Sequence, residues 1–280
     1  MQYARPETYT KPKTQPNQLH RRDMTDPENT KPIKPPVIGL ILSGGLGTRM
    51  GHSEKGLVAF NGSPLINFAL QAVLPLCDSI AISCNAHQEN YRKVLRQAIA
   101  ETDAEHRKVP RLVNQEGLIH DQCAPIAGPV AGIISCLIEI ENSKAFSPEA
   151  LTAGTMVVTS CDMPFLCKDA LEELISGASA APQRAHYYAS RLADSQKHHY
   201  LPVAFGLGRA IQCARDWREW PESTPRRDFS LRNWLAALSE DSSQGLITEH
   251  DYEDRSFTSI NSSQQLQDLQ NAVGERKSRQ

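Results

Sequence analysis

From Leu40 to Gly62 the chain reads LILSGGLGTRMGHSEKGLVAFNG, an apolar run followed closely by Gly44, Gly45, Gly47 and Gly51, with Arg49 and Lys55 among them. Glycines free to take positive φ can turn successive amide N–H groups toward one point and so form a concavity for an anion. Arg49 offers a planar fork suited to phosphate oxygens, and Lys55 is close enough for its long side chain to fold back over the loop. Phosphate binding is the chemistry this pattern offers, and a glycine-rich turn flanked by two solvated cations is the plain alternative. The two common phosphate motifs do not fit. A Gly-x-Gly-x-x-Gly pattern begun at Gly45 needs glycine where Met50 stands, and no Gly-Lys-Ser/Thr follows.

A loop of this kind needs rigid elements on either side. Val37 to Ser43 reads as a buried strand, Pro64 to Leu76 as a helix led by proline, Ser79 to Cys84 as a strand and Gln88 to Ala100 as a helix. A short apolar piece, Arg111 to Val113, leads through a loop to Gly128-Pro129, after which Ala131 to Ile140 is helical. Thr155 to Ser160 supplies another strand and Lys168 to Ser176 another helix. Strand and helix alternate, which predicts an α/β fold: a single Rossmann-like domain whose mostly parallel sheet carries helices on both faces and binds ligands at the carboxyl ends of its strands. The glycine loop stands at one such end.

Composition bounds the function. The chain has 280 residues, enough for a sizeable core, and a formal net charge of −2, so no overall field points to nucleic acid or a membrane surface. Seven cysteines without a Cys-x-x-Cys pair suit a reducing, cytoplasmic setting and read as core or surface thiols. No apolar run approaches the length of a membrane span, and the N-terminus lacks the apolar stretch of a signal peptide. Residues 1–36 hold seven of the 18 prolines and almost no aliphatic side chains, so they are expected to form a disordered tail, with the domain at 37–273 and a short C-terminal tail at 274–280.

The glycine-rich block resembles the signature of nucleotidyltransferases of the family typified by molybdenum cofactor guanylyltransferase. The likeness continues in the same order through CNAHQENY (Cys84 to Tyr91), GPVAGI (Gly128 to Ile133), CDMPFL (Cys161 to Leu166), LPVAFGLGRAI (Leu201 to Ile211) and FTSINSSQQL (Phe257 to Leu266). It covers residues 37 to 273. It implies transfer of GMP from GTP to the phosphate of molybdenum-carrying molybdopterin, with release of pyrophosphate. Three departures stand out. Gly51-His52-Ser53-Glu54-Lys55 replaces the family's Gly-Gly-x-Asp-Lys; the family's guanine-site aspartate falls in VNQEGLIHDQ, where Glu116 and Asp121 both qualify; and Ser259 and Asn261 stand where the family has two asparagines.

By the same resemblance Leu42, Ser43, Gly44, Gly45, Gly47 and Lys55 surround the triphosphate, Lys55 and Arg49 neutralise its charge, and Asn85 meets the guanine or its ribose. Asp162, directly after a buried strand, is the best placed carboxylate for Mg²⁺ and the expected catalytic metal ligand; its plain alternative is a turn aspartate before Pro164. Gly128 both begins a helix and lets the chain approach a ligand closely. Asn261, followed three residues later by Gln264, reads either as a helix N-cap or as a contact to the pterin nucleotide. Arg226-Arg227 reads as solvated, with contact to the acceptor phosphate as the alternative, and His198-His199 lack a second pair at zinc spacing. The resemblance further implies transient contacts with molybdenum insertion proteins and apo-molybdoenzymes. Rival readings keep the chemistry but change the substrates, as in cytidylyl transfer to molybdopterin or transfer to a sugar phosphate, or replace catalysis with a nucleotide-binding adaptor.

Overall fold

The computed structural model describes residues 34–43, 54–104, 110–123, 126–143, 145–192, 195–219, 229–239, 246–248 and 254–277. They fall in one compact unit, Lys34–Gln280. The strands are β1 (Val37–Leu42), β2 (Ala59–Phe60), β3 (Ser63–Pro64), β4 (Ser79–Ser83), β5 (Arg111–Leu112), β6 (Leu118–Ile119), β7 (Thr155–Ser160), β8 (Ala185–Leu192), β9 (Ser195–Gly206) and β10 (Leu246–Thr248). The helices are α1 (Leu65–Val73), α2 (Gln88–Ala104), α3 (Pro129–Asn142), α4 (Pro148–Ala153), α5 (Lys168–Ala180), α6 (Leu207–Arg218), α7 (Leu231–Leu238) and α8 (Ser263–Lys277).

β1, VIGLIL, is buried from Ile38 onward, and a strand apolar on both faces belongs in the middle of a sheet covered on both sides. It pairs in parallel with β4 and β7 in the order β10-β8-β9-β7-β1-β4-β5, with β6 also on β4. One face is covered by α3, α6 and α7 through residues such as Ile133, Leu137, Trp217 and Trp234. The other is covered by α1, α2 and α5 through Leu70, Leu95 and Leu171. Each such aliphatic side chain contributes about 1.5–3 kcal/mol by leaving water. Gly39 lets α1 come close to β1, since a Cβ there would lie 2.7 Å from Val73 and 2.8 Å from Cys77 and Ile80.

Several boundaries move for local reasons. The helix expected over 64–76 starts one residue later, because Pro64 pairs in the β2–β3 hairpin, whose Asn61-Gly62 turn has φ of 50° and 82°. Pro75 then converts its last turn, Leu74–Leu76, to a 3-10 helix. Pro36, placed in the expected tail, is buried and its carbonyl accepts a hydrogen bond from Thr155 N at 2.9 Å, while α8 runs to Lys277, past 273. Residues 1–33 of the tail expected over 1–36 lie outside the described residues. The β8–β9 hairpin, unforeseen from sequence, adds the antiparallel part of the sheet. It puts His198 against Tyr187 and Tyr200 but His199 against Phe257, on opposite faces.

Candidate functional site

The carboxyl ends of β1, β4 and β7 are tied together: Ser43 N donates to Ser83 O at 2.8 Å and Cys161 N to Leu42 O at 3.0 Å. Leu42 and Ser43, both expected at the site, are therefore at this edge. Lys55 opens a short 3-10 turn, Lys55–Leu57, and its Nζ donates to Asp162 Oδ2 and, at 2.8 Å, to Asn261 Oδ1. Asp162, 5% exposed, is fixed by Ser160, whose Oγ donates to its Oδ1 at 2.6 Å. Ile260 N donates to the Asp162 carbonyl at 3.0 Å, which draws the segment carrying Asn261 over the end of β7. Three residues separated by up to 206 positions thus meet around one ammonium group.

Asn261 is not the helix cap. Ser262 takes that role, accepting from Gln265 N at 3.2 Å, while Gln265 Oε1 accepts from Asn261 N at 2.7 Å. The cap sits one residue further along than the spacing predicts, and this leaves the Asn261 side chain free to reach Lys55.

A second group lies at the β4–β6 side of the same edge. Asn85 Nδ2 donates to Asp121 Oδ2 at 2.8 Å, and Asp121 N donates to Asn85 Oδ1 at 3.0 Å. Ser83 Oγ also donates to Asp121 Oδ1 at 3.3 Å. Glu116 is elsewhere, paired with Arg92 at 2.8 Å. Of the two acids left open by the sequence, only Asp121 joins Asn85. Gly128, with φ of 72°, precedes α3, and Gly132 brings that helix against Ser83, where any Cβ would collide. The N-terminal, electropositive end of α3 therefore faces this edge. Gly44, Gly45, Gly47, Arg49 and Arg226-Arg227 lie outside the described residues.

The profile of the MobA-like NTP transferase domain matches residues 39–242. The chain belongs to the MobA-like NTP transferase family. It is 31% identical over 238 residues to a molybdenum cofactor guanylyltransferase of Pseudomonas putida, spanning 84% of this chain and 97% of that protein. A second P. putida strain has a molybdenum cofactor guanylyltransferase 29% identical over 239 residues, spanning 84% and 98%. Among solved structures, the 4-diphosphocytidyl-2C-methyl-D-erythritol synthase of Anaerococcus prevotii superposes with a TM-score of 0.56 at 13% identity, covering 85% of this chain and 96% of that one, a likeness of fold.

In this MobA-like transferase the described residues contain no cluster of three His, Cys, Asp or Glu placed for a metal. The Asp162 carboxylate and the Asn261 amide oxygen are hard oxygen donors of the kind Mg²⁺ takes, and here both hold the Lys55 ammonium, so Mg²⁺ at Asp162 would have to stand beside that ammonium and not in its place. No helix of the described residues is long and apolar enough to cross a membrane.

All seven cysteines are free thiols, and two of them, Cys84 and Cys161, border the site. Burial, helped for Cys161 by the Asp162 charge and for Cys84 by Glu54 and Asp121, pushes each thiol up to about 12. Neither can serve as a thiolate nucleophile near neutral pH. Iodoacetamide at pH 7.5 is accordingly expected to leave Cys84 and Cys161 unmodified in the folded protein and to label both after unfolding, read by mass spectrometry of peptides. Rapid labelling of either in the native state would contradict this.

Sequence reasoning missed Ser83, Ser160 and Tyr91, and gave Glu54 no role beyond its place before Lys55. Small hydroxyls at strand ends carry no spacing signal. Tyr91 stands one helical turn before Leu95 on the buried face of α2, a pattern that reads as core.

Proposed function

We propose that the protein transfers the guanylyl group of GTP to the phosphate of molybdenum-loaded molybdopterin, releasing pyrophosphate and forming the guanine dinucleotide. The observation that carries this reading is the convergence of Lys55, Asp162 and Asn261 at the strand edge that also bears Asn85 and Asp121. The names of the relatives supply donor and acceptor.

The acceptor needs no general base, because a phosphate monoester has its second pKa near about 6 and is a dianion at neutral pH. Its oxygen attacks the α-phosphorus; the new P–O bond forms as the bond to the β-phosphate bridging oxygen breaks, and the electron pair leaves with pyrophosphate. What the site must supply is alignment and neutralisation of charge. Asp162 and Asn261 hold the Lys55 ammonium at this edge before the nucleotide arrives, for the β and γ phosphates; the family resemblance assigns Arg49 and Gly44 to Gly47 to the same phosphates. Mg²⁺ bound at Asp162 would act as a Lewis acid on the phosphate oxygens. Delivery of the product to apo-molybdoenzymes, and contact with molybdenum insertion proteins, belong to the same reading.

Asp121 favours guanine. The Watson–Crick edge of guanine presents two adjacent N–H donors, which a carboxylate accepts together. Cytosine and adenine place a ring-nitrogen acceptor beside their amino group, and that lone pair would face the carboxylate. With GTP, CTP, ATP and UTP offered separately with molybdenum-loaded molybdopterin, the guanine dinucleotide should form at least ~100-fold faster than any other product, since a wrong base leaves polar groups unpaired. Equal incorporation from CTP would contradict the donor assignment.

A further inference from the structure

Tyr91 is fully buried in the first turns of α2, and its ring belongs to the apolar layer that includes Leu95 and Leu118. Its hydroxyl makes two bonds that packing does not require. Ser43 Oγ donates to Tyr91 Oη at 2.5 Å, and Tyr91 Oη donates to Glu54 Oε1 at 2.7 Å. Ser43 is the residue directly after β1, and Glu54 is the residue directly before Lys55. One phenol therefore joins the end of the central strand to the turn that carries the site's ammonium group.

Three further facts define this joint. Burial, seconded by the neighbouring Cys161, pushes the Tyr91 phenol far above its usual range, so it keeps its proton and its donor role throughout the neutral range. Gly56, the residue after Lys55, lies directly against the joint: a Cβ there would fall 2.6 Å from Ser43 Oγ and 2.7 Å from Tyr91 Oη. Ser43 is in turn anchored to β4 through its backbone N–H, at 2.8 Å from Ser83 O. A phenylalanine would fill the same space without a polar group to satisfy, so what the hydroxyl adds is the tie itself.

We propose that Tyr91 is a positioning residue for the triphosphate of the donor: through Glu54 and Ser43 it sets where Lys55 stands relative to the end of β1. It touches neither nucleotide nor acceptor. The proposal rests on the reading of GTP as donor, and it assigns Tyr91 to the phosphate end of that donor and not to the base end, which Asn85 and Asp121 serve. Preorganisation of this kind lowers the ordering cost that binding must overcome, so its loss appears as weaker binding of the group Lys55 meets.

The test is Tyr91→Phe in the full chain, with dissociation constants for GTP and for GMP measured by titration calorimetry in Mg²⁺. The expected result is a Kd for GTP raised about tenfold or more, equivalent to about 1.4 kcal/mol, with the Kd for GMP within about twofold of wild type. Gly56→Ala, which presses on the same joint while leaving the tyrosine in place, should shift the GTP-to-GMP ratio in the same direction and carries the test if Tyr91→Phe does not fold. A GTP affinity unchanged in the folded variants, or equal weakening of GTP and GMP, would overturn the role. The reference is wild type: a wild-type protein that binds GTP no more tightly than GMP contradicts the donor assignment, whereas a wild-type preference for GTP that survives both substitutions overturns the role of Tyr91 alone.

Discussion

Asp162→Asn is expected to fold as the wild type does and to lose turnover by roughly two to four orders of magnitude, the scale set by losing a Lewis-acid site worth several kcal/mol. The substitution is nearly isosteric. Ser160 Oγ, which donates to Asp162 Oδ1 at 2.6 Å, can donate equally to an amide oxygen, and Lys55 keeps Asn261 Oδ1 at 2.8 Å. Melting temperature should therefore move by only a few degrees, since the packing of β7 and the bond from Ile260 N to the residue 162 carbonyl do not involve the side chain. What disappears is the negative charge that holds Lys55 and that would hold Mg²⁺. Initial rates measured across a range of Mg²⁺ concentrations, alongside near-ultraviolet circular dichroism, separate the two effects. A folded variant with near wild-type rate and unchanged Mg²⁺ dependence would return Asp162 to the turn-residue reading.

Lys55→Ala carries a different pair of consequences. The first is functional: one fixed cation facing the distal phosphates is lost, and GTP affinity should fall by about one to two orders of magnitude, GMP affinity by much less. The second is structural. The Asp162 side chain is only 7% exposed and loses its ion-pair partner, so the folded state should lose about 1–3 kcal/mol, below the range for fully buried pairs because the Lys55 side chain is 24% exposed and partly screened. For a domain of this size that corresponds to a drop of about 2–4 °C per kcal/mol. The two residues are in contact, so their effects should not add. The double variant Asp162→Asn with Lys55→Ala leaves no lone charge and should melt higher than Lys55→Ala alone. A double variant melting below both single variants would contradict the ion-pair account.

Much of this arrangement was legible in the residues because it depends on local pattern. VIGLIL and TMVVTS are continuous apolar runs that only a sheet covered on both faces can accept, and they became β1 and β7 side by side. The place of Asp162 just past a strand end was legible because it follows such a run closely. What was not legible depends on tertiary choice. Asn261 stays open between a cap and a ligand contact in the sequence because Gln264 follows at the capping-box spacing, yet Ser262 with Gln265 satisfies the same rule one residue later, and the structure gives the cap to Ser262 and the Asn261 side chain to Lys55. The split of Glu116 from Asp121 was likewise a question of which acid reaches Asn85 and which reaches Arg92. The β8–β9 hairpin lacks clean alternation, since Tyr187 and Tyr188 stand at a register shift. Tyr91 was hidden because a buried aromatic on a helix face has the same pattern whether or not its hydroxyl has work to do.

The measurement that bears most directly on the account is the fate of the α-phosphate. With GTP labelled at that phosphate, molybdenum-loaded molybdopterin and Mg²⁺, the purified protein should move the label into the guanine dinucleotide with one pyrophosphate released per product, and no label should remain on denatured protein at any time. Label that stays in GTP or GMP with no dinucleotide formed, or that becomes covalently attached to the chain, would contradict direct guanylyl transfer at the Lys55, Asp162 and Asn261 edge.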